Sequence, residues 1–518
     1  MSWNASAGRR NWLIIAAGTV YFGLILIPFI AIIIFAESSA GLSEAVPDAG
    51  RATRLLFQSL ELAAGAATLA TLLGWPFACI GVGRSGMLAA AGRWFVAILL
   101  FLPPYLNTIG LISFFDMARR LGFGTMVFPQ GMGWAIAVLG AAFAPLAALI
   151  GEQALASIDR SAAESSLMAM PPAESWRRIW LPFWKSPFLG SWLVIFWLTV
   201  VEYGVPIHFQ VPVLSTDLVS AFVGGATAEA IMRAGFPLAL TGWLAGGIGL
   251  YSLSGFLTGP GRKRENPPVM LFEPSRWPGI WRLAHGVGVA GFFLATLIPL
   301  FGLVGGATGS WTGAGLWLSW PAFLFSIGLA IVVSGMAVAI ANPLGDFIAG
   351  KGDLRWIMLF LFPICFPPVL VGFAHAVAWS RPELAFLHGK GAGLLTAHLS
   401  RILPLCLLLT LLARRGAGRS SASDAALLSG NRWLRFRLGF PVILPVFLLG
   451  FLLSLRELDV SLLTIPPGGE TLPLRLFNLM HYGAGTDVCR LGLLLSALVG
   501  TVMGLLSLAI SRSGDFDE

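Results

Sequence analysis

Few side chains in this sequence could do chemistry, and those few sit among apolar neighbours. Glu202 lies in WLTVVEYGVP, and Arg456, Glu457 and Asp459 lie together in LSLRELDVSL. Charges inside such apolar runs face a protein interior or an aqueous path, because hydrocarbon does not solvate them. Arg456 has two candidate partners, Glu61 and Glu202. Glu202 and Glu457 therefore read either as ties between helices near the outer interface or as the lining of a pathway. His208, His375, His398 and His481 are scattered, and Cys79, Cys365, Cys406 and Cys489 each lie in or beside an apolar run. No CxxC or Cys/His spacing supports a disulfide framework or a metal site, and the cysteines read as small packing residues. No metal is therefore expected. No HExxH, GxSxG or GxxxxGK[ST] occurs, so the chain is expected to be no enzyme and to bind no ATP by a P-loop.

Two proline pairs, Pro103-Pro104 and Pro367-Pro368, fall inside apolar runs. Proline removes a backbone donor, so both runs should bend or break. Broken helices in membranes line cavities or serve packing. Glycine-rich stretches such as Gly235 to Gly249 allow close helix contact.

The elements that position these residues follow from composition. The 518-residue chain is 57% hydrophobic and only 11% charged, with mean hydropathy +0.82. A soluble protein of this size would need far more charge to cover its surface, so the class is an all-α polytopic membrane protein. Twelve apolar runs can be placed, near 12–36, 56–80, 90–115, 132–154, 187–208, 236–258, 281–304, 317–343, 355–379, 392–412, 443–465 and 486–510. The first is too long for a signal-peptide core and reads as a retained span. With the N-terminus inside, 22 of the 33 basic residues fall in inner loops, about 10 fall outside, and Arg456 lies within a span. That bias places both termini in the cytoplasm. The net charge of +8 orients spans and does not argue for nucleic acid.

The two halves repeat each other. Ser59 precedes Pro76 by 17 residues, and Ser326 precedes Pro343 by the same 17. Ser326, Pro367 and Glu457 follow Ser59, Pro103 and Glu202 by 267, 264 and 255 residues. Six spans per half give the halves one orientation and a pseudo-two-fold axis along the membrane normal. The expected organisation is a first half at 1–260, a cytoplasmic linker at 261–280 and a second half at 281–518.

Between the fourth and fifth runs lies a polar stretch, 151–187, too charged to span and too patterned to be slack. Ser161 to Met170 reads as a short helix stopped by Pro171-Pro172, with Trp176 at the start of a second amphipathic turn. This stretch resembles the cytoplasmic loop of binding-protein-dependent ABC importer permeases. That pattern is Glu-Ala-Ala, three residues, Gly, nine residues, Ile, one residue, Leu-Pro. Here Ala163-Glu164-Ser165 takes the first slot and Ala169 the glycine slot, with Ile179, Leu181 and Pro182 in register. The second half, in its loop 414–442, offers Asp424-Ala425-Ala426 and Gly430, followed by Phe440-Pro441 two residues early. The whole chain resembles the fused permeases of ferric-iron, thiamine and aminoethylphosphonate importers, and Arg456 to Gly483 is most like the ferric-iron members.

The resemblance implies the type I importer fold, in a bacterial inner membrane. It implies two copies of a cytoplasmic ATPase, which carry ATP and Mg, and one periplasmic substrate-binding protein. Each loop helix would sit in a groove of one ATPase subunit, the first through Glu164, Leu167, Met168, Ala169 and Trp176, the second through Asp424, Ala425, Ala426, Gly430 and Trp433. The expected solute is ferric iron, with thiamine, a phosphonate or a related small solute as alternatives. A twelve-span secondary transporter is the competing class; it needs no ATPase and leaves both loop patterns unexplained.

Overall fold

The computed structural model describes residues 2–35, 47–81, 87–123, 129–258, 279–308, 314–351, 354–416, 432–481 and 485–514. Among these the chain is helical throughout. The first half contains α1 (Ser2–Phe35), α2 (Ala49–Gly81), α3 (Met87–Phe101), α4 (Pro104–Arg120), α5 (Met132–Ala156), α6 (Arg160–Ala169), α7 (Pro172–Ser175), α8 (Leu181–Val200), α9 (Gly204–His208), α10 (Leu214–Val223) and α11 (Ala228–Thr258). The second contains α12 (Gly279–Gly306), α13 (Ala314–Lys351), α14 (Leu354–Leu361), α15 (Pro368–Trp379), α16 (Ala385–Gly389), α17 (Ala392–Gly416), α18 (Arg432–Leu455), α19 (Asp459–Thr464), α20 (Leu472–His481) and α21 (Gly485–Gly514).

Nine described helices are long and apolar enough to cross a membrane, and the bent pairs α3–α4 and α14–α15 raise the number to 11. The pairs bend by 95° and 78° at the two proline pairs, as expected where two successive residues lack an N–H. The expected run at 443–465 differs. Of it, Val442–Leu455 is a short apolar helix, and the chain leaves the helix at Arg456 before α19 begins. The run expected at 187–208 breaks in the same way after Val200, before α9. Each break holds a charged sequence, which a continuous helix would turn toward apolar neighbours.

Hydropathy does not say which runs are neighbours, and here the halves exchange their first spans. Helix α1 packs on α13, α15 and α17, and α12 packs on α2, α4 and α5. The Tyr21 hydroxyl on α1 donates to the Phe360 carbonyl, and Ser400 Oγ on α17 donates to the Leu24 carbonyl at 2.8 Å. On the other side, Phe292 stacks on Phe77 with ring centroids 4.3 Å apart. Helices α4 and α12 touch backbone to backbone: a Cβ on Gly302 would overlap the Gly110 carbonyl oxygen and lie 2.8 Å from Phe114 N. Only glycine permits that approach.

The halves also share local contacts. The Leu214 N–H, opening α10, donates to Ser59 Oγ at 3.0 Å. The Leu472 N–H, opening α20, donates to Ser326 Oγ at 2.6 Å. The two serines that marked the repeat thus serve the same kind of orphan donor at a helix start.

Candidate pathway and coupling site

Four backbone breaks carry the polar residues of the interior: at Pro103-Pro104, after Val200, at Pro367-Pro368 and after Leu455. Glu202 sits at the second, and its carboxylate faces the backbone N–H groups of Gly204 and Val205 at the start of α9. Arg456 and Glu457 sit at the fourth, and Asp459 opens α19. All are half-buried. Glu202, Glu457 and Tyr105 lie within electrostatic reach of Arg456, and Asp459 shares those charges together with Arg401. Five charged groups from both halves therefore form one cluster. His398 braces it from α17, bridging Ser454 Oγ at 3.2 Å and Ser461 Oγ at 2.9 Å across the fourth break.

The expected pairing of Arg456 with Glu61 is not formed. Glu61 lies exposed on α2, and the Arg456 guanidinium instead donates to the Leu100 carbonyl at 2.9 Å. Arg401, inside the run expected at 392–412, is the tenth residue of the 23-residue span Ala392–Arg414. At about 1.5 Å per residue it lies roughly 14 Å along the helix from Ala392, toward its middle. It donates to the carbonyls of Ile364 at 2.9 Å and Phe366 at 3.3 Å. The cluster thus sits beside the middle of α17. The halves also meet through rings: His208 lies 5.4 Å from Phe477 and 5.3 Å from His481, centroid to centroid. Among the described residues no group of three His, Cys, Asp or Glu is placed to hold a metal ion.

The polar loop folds as a compact unit. Asp159 caps α6, accepting the Ala162 N–H at 2.9 Å. Ala163 and Ser166 point inward, and Ser166 Oγ meets Ser175 Oγ at 2.7 Å, which in turn accepts Trp180 Nε1–H at 3.0 Å. Glu164, Met168 and Ala169 remain exposed, Met168 at 91%. Leu167 is half-buried against its own half. Arg160 pairs with Glu164 at 2.9 Å and Arg178 with Glu174 at 2.7 Å, which stiffens the outward surface. Trp176 opens a π-helical turn, Trp176–Trp180. Asp424, Ala425, Ala426 and Gly430 lie outside the described residues, and Trp433 lies in the first turn of α18.

A bundle of long apolar helices, broken around a cluster of charges, defines a multi-pass membrane protein. Over 208 residues the chain is 30% identical to a protein of Salmonella typhimurium named as a 2-aminoethylphosphonate transport system permease protein, covering 77% of that relative and 38% of this chain. It is 25% identical over 207 residues to a putrescine transport system permease protein of Escherichia coli, covering 70% of it and 35% of this chain. The chain belongs to the binding-protein-dependent ABC importer permeases. No protein-family profile and no solved structure matches it. Both relatives are named as transport permeases.

Proposed function

We propose that this chain is the transmembrane permease of an ATP-driven importer, in which two halves rock about the charged cluster to pass a small solute into the cytoplasm. A match taking up 77% of a relative but 38% of this chain supports reading it as two permease units in tandem, 1–260 and 281–518. The inner-loop excess of basic residues supports cytoplasmic termini. The observation that carries the coupling role is α6: a capped, internally braced helix between spans that leaves Met168 91% exposed. An ATPase subunit covers that surface, and a second copy covers the equivalent loop at 414–442. ATP and Mg belong to those subunits, and a periplasmic binding protein delivers the solute to the outer face.

Ferric iron is the proposed solute, on the resemblance of Arg456 to Gly483. The aminoethylphosphonate name of the first relative favours a phosphonate as the second reading. Identifying the partner binding protein and measuring what it binds separates them. The coupling role is tested by the double variant Glu164→Arg/Met168→Asp, expected to stay in the membrane while the ATPase no longer co-purifies. Undiminished co-purification and uptake would overturn it.

A further inference from the structure

The two proline breaks correspond atom for atom at a spacing of 264 residues. The Leu102 N–H reaches the Leu99 carbonyl at 3.3 Å, and the Phe366 N–H reaches the Pro363 carbonyl at 3.3 Å. In an uninterrupted helix the carbonyls of Leu100 and Ile364 would accept the N–H groups of residues 104 and 368. Both of those residues are proline, so both carbonyls are orphaned inside the protein, where an unserved acceptor is costly. Each is served by a guanidinium at 2.9 Å: Leu100 by Arg456 and Ile364 by Arg401.

The donors are not equivalent. Arg401 is on α17 and closes a break within its own half. Arg456 belongs to the second half and closes the break of the first. The first half has no arginine of its own for this purpose: α5 contains no basic residue, and Val201 precedes Glu202 where Arg456 precedes Glu457. One bond therefore survives any rigid movement between the halves, and the other does not.

We propose that the hydrogen bond from Arg456 to the Leu100 carbonyl is a latch between the halves, which holds the conformation described here and opens when they part. Arg456 acts as a positioning residue: it sets the balance of two conformations through the first-half break. A bond to a charged donor present in only one conformation weights that conformation by about tenfold. The proposal rests on the importer reading only in requiring that the halves move apart, so it is tested on the chain alone.

The experiment uses the full chain in lipid nanodiscs, without ATPase or binding protein, carrying spin labels at the exposed positions Arg120 and Lys390, one in each half. Pulsed electron-spin distances give the populations, and thermal melting checks the fold. Arg456→Met, which removes the donor, is expected to raise the second population about tenfold relative to the first, and Arg456→Lys, which retains a charged donor, to restore most of the original balance. An unchanged distance distribution in folded Arg456→Met would overturn the latch. Failure of Arg456→Met to fold would overturn it too, by making the bond a folding contact. Absence of an ATPase partner would refute the importer reading and leave this measurement unaffected.

Discussion

The crossing of α4 and α12 makes a sharp prediction about how the halves are joined. Gly302→Ala adds one methyl group, which would overlap the Gly110 carbonyl oxygen and sit 2.8 Å from both the Gly110 carbonyl carbon and Phe114 N. Ordinary contact begins near 3.4 Å, so the 2.8 Å neighbours alone require a retreat of 0.6 Å (3.4 − 2.8), and the oxygen requires more. These neighbours are backbone atoms of a helix and cannot swing aside, so α12 must leave α4. Overpacking of this kind costs about 1–3 kcal/mol, against about 1 kcal/mol gained from alanine's better helix propensity. The control is Gly335→Ala on α13, where a Cβ meets nothing within 4 Å and only the propensity gain remains. Heating both variants in detergent and following the monodisperse fraction by size-exclusion should place Gly302→Ala below wild type and Gly335→Ala at or above it. Gly302→Ala melting at or above Gly335→Ala would refute the backbone contact and with it this account of the exchanged helix.

Three further outcomes are expected. Ser59→Ala and Ser326→Ala each strand a buried N–H, of Leu214 or Leu472, and should lower stability by a similar amount, about 1–3 kcal/mol; a cost at one serine alone would break the proposed equivalence. Asp159→Ala removes the cap of α6, worth about 1 kcal/mol, and should speed amide hydrogen exchange across Arg160–Ala169 about fivefold, where unchanged exchange would contradict the capping role. Glu202→Gln or Glu457→Gln should slow uptake severalfold while the binding protein keeps its affinity for solute, and wild-type uptake in both would take these carboxylates out of the pathway.

The parts of the site that proteins encode locally were legible in the sequence. Proline has no N–H whatever surrounds it, so Pro103-Pro104 and Pro367-Pro368 announced both bends. The short run from Ser161 to Met170, with Pro171-Pro172 behind it, announced α6, while its cap at Asp159 came only with the structure. What escaped depends on neighbours distant in sequence. Arg401 lies inside an expected span, and nothing near it in the sequence says that the carbonyls of Ile364 and Phe366 stand beside it. Arg456 has carboxylates within reach, and nothing in its own stretch says that it prefers a carbonyl 356 residues away. The helix exchange is equally silent, because an apolar run reports that it is covered and not by whom. The small-residue pattern around Gly302 was the available signal, and it names a close contact without naming the partner.

Exchange of the first spans also bears on how such a protein can be divided. A cut between Thr258 and Gly279 would separate α1 from α13, α15 and α17, and α12 from α2, α4 and α5. Each fragment would carry one helix whose proper cover is on the other fragment, and would lack one that covers its own core. Two copies of the same fragment could not supply what is missing unless their surfaces were interchangeable, and the donors Arg401 and Arg456, which serve Ile364 and Leu100, have no arginine counterparts in the first half. Covalent continuity therefore fixes the stoichiometry of two unlike parts at one to one.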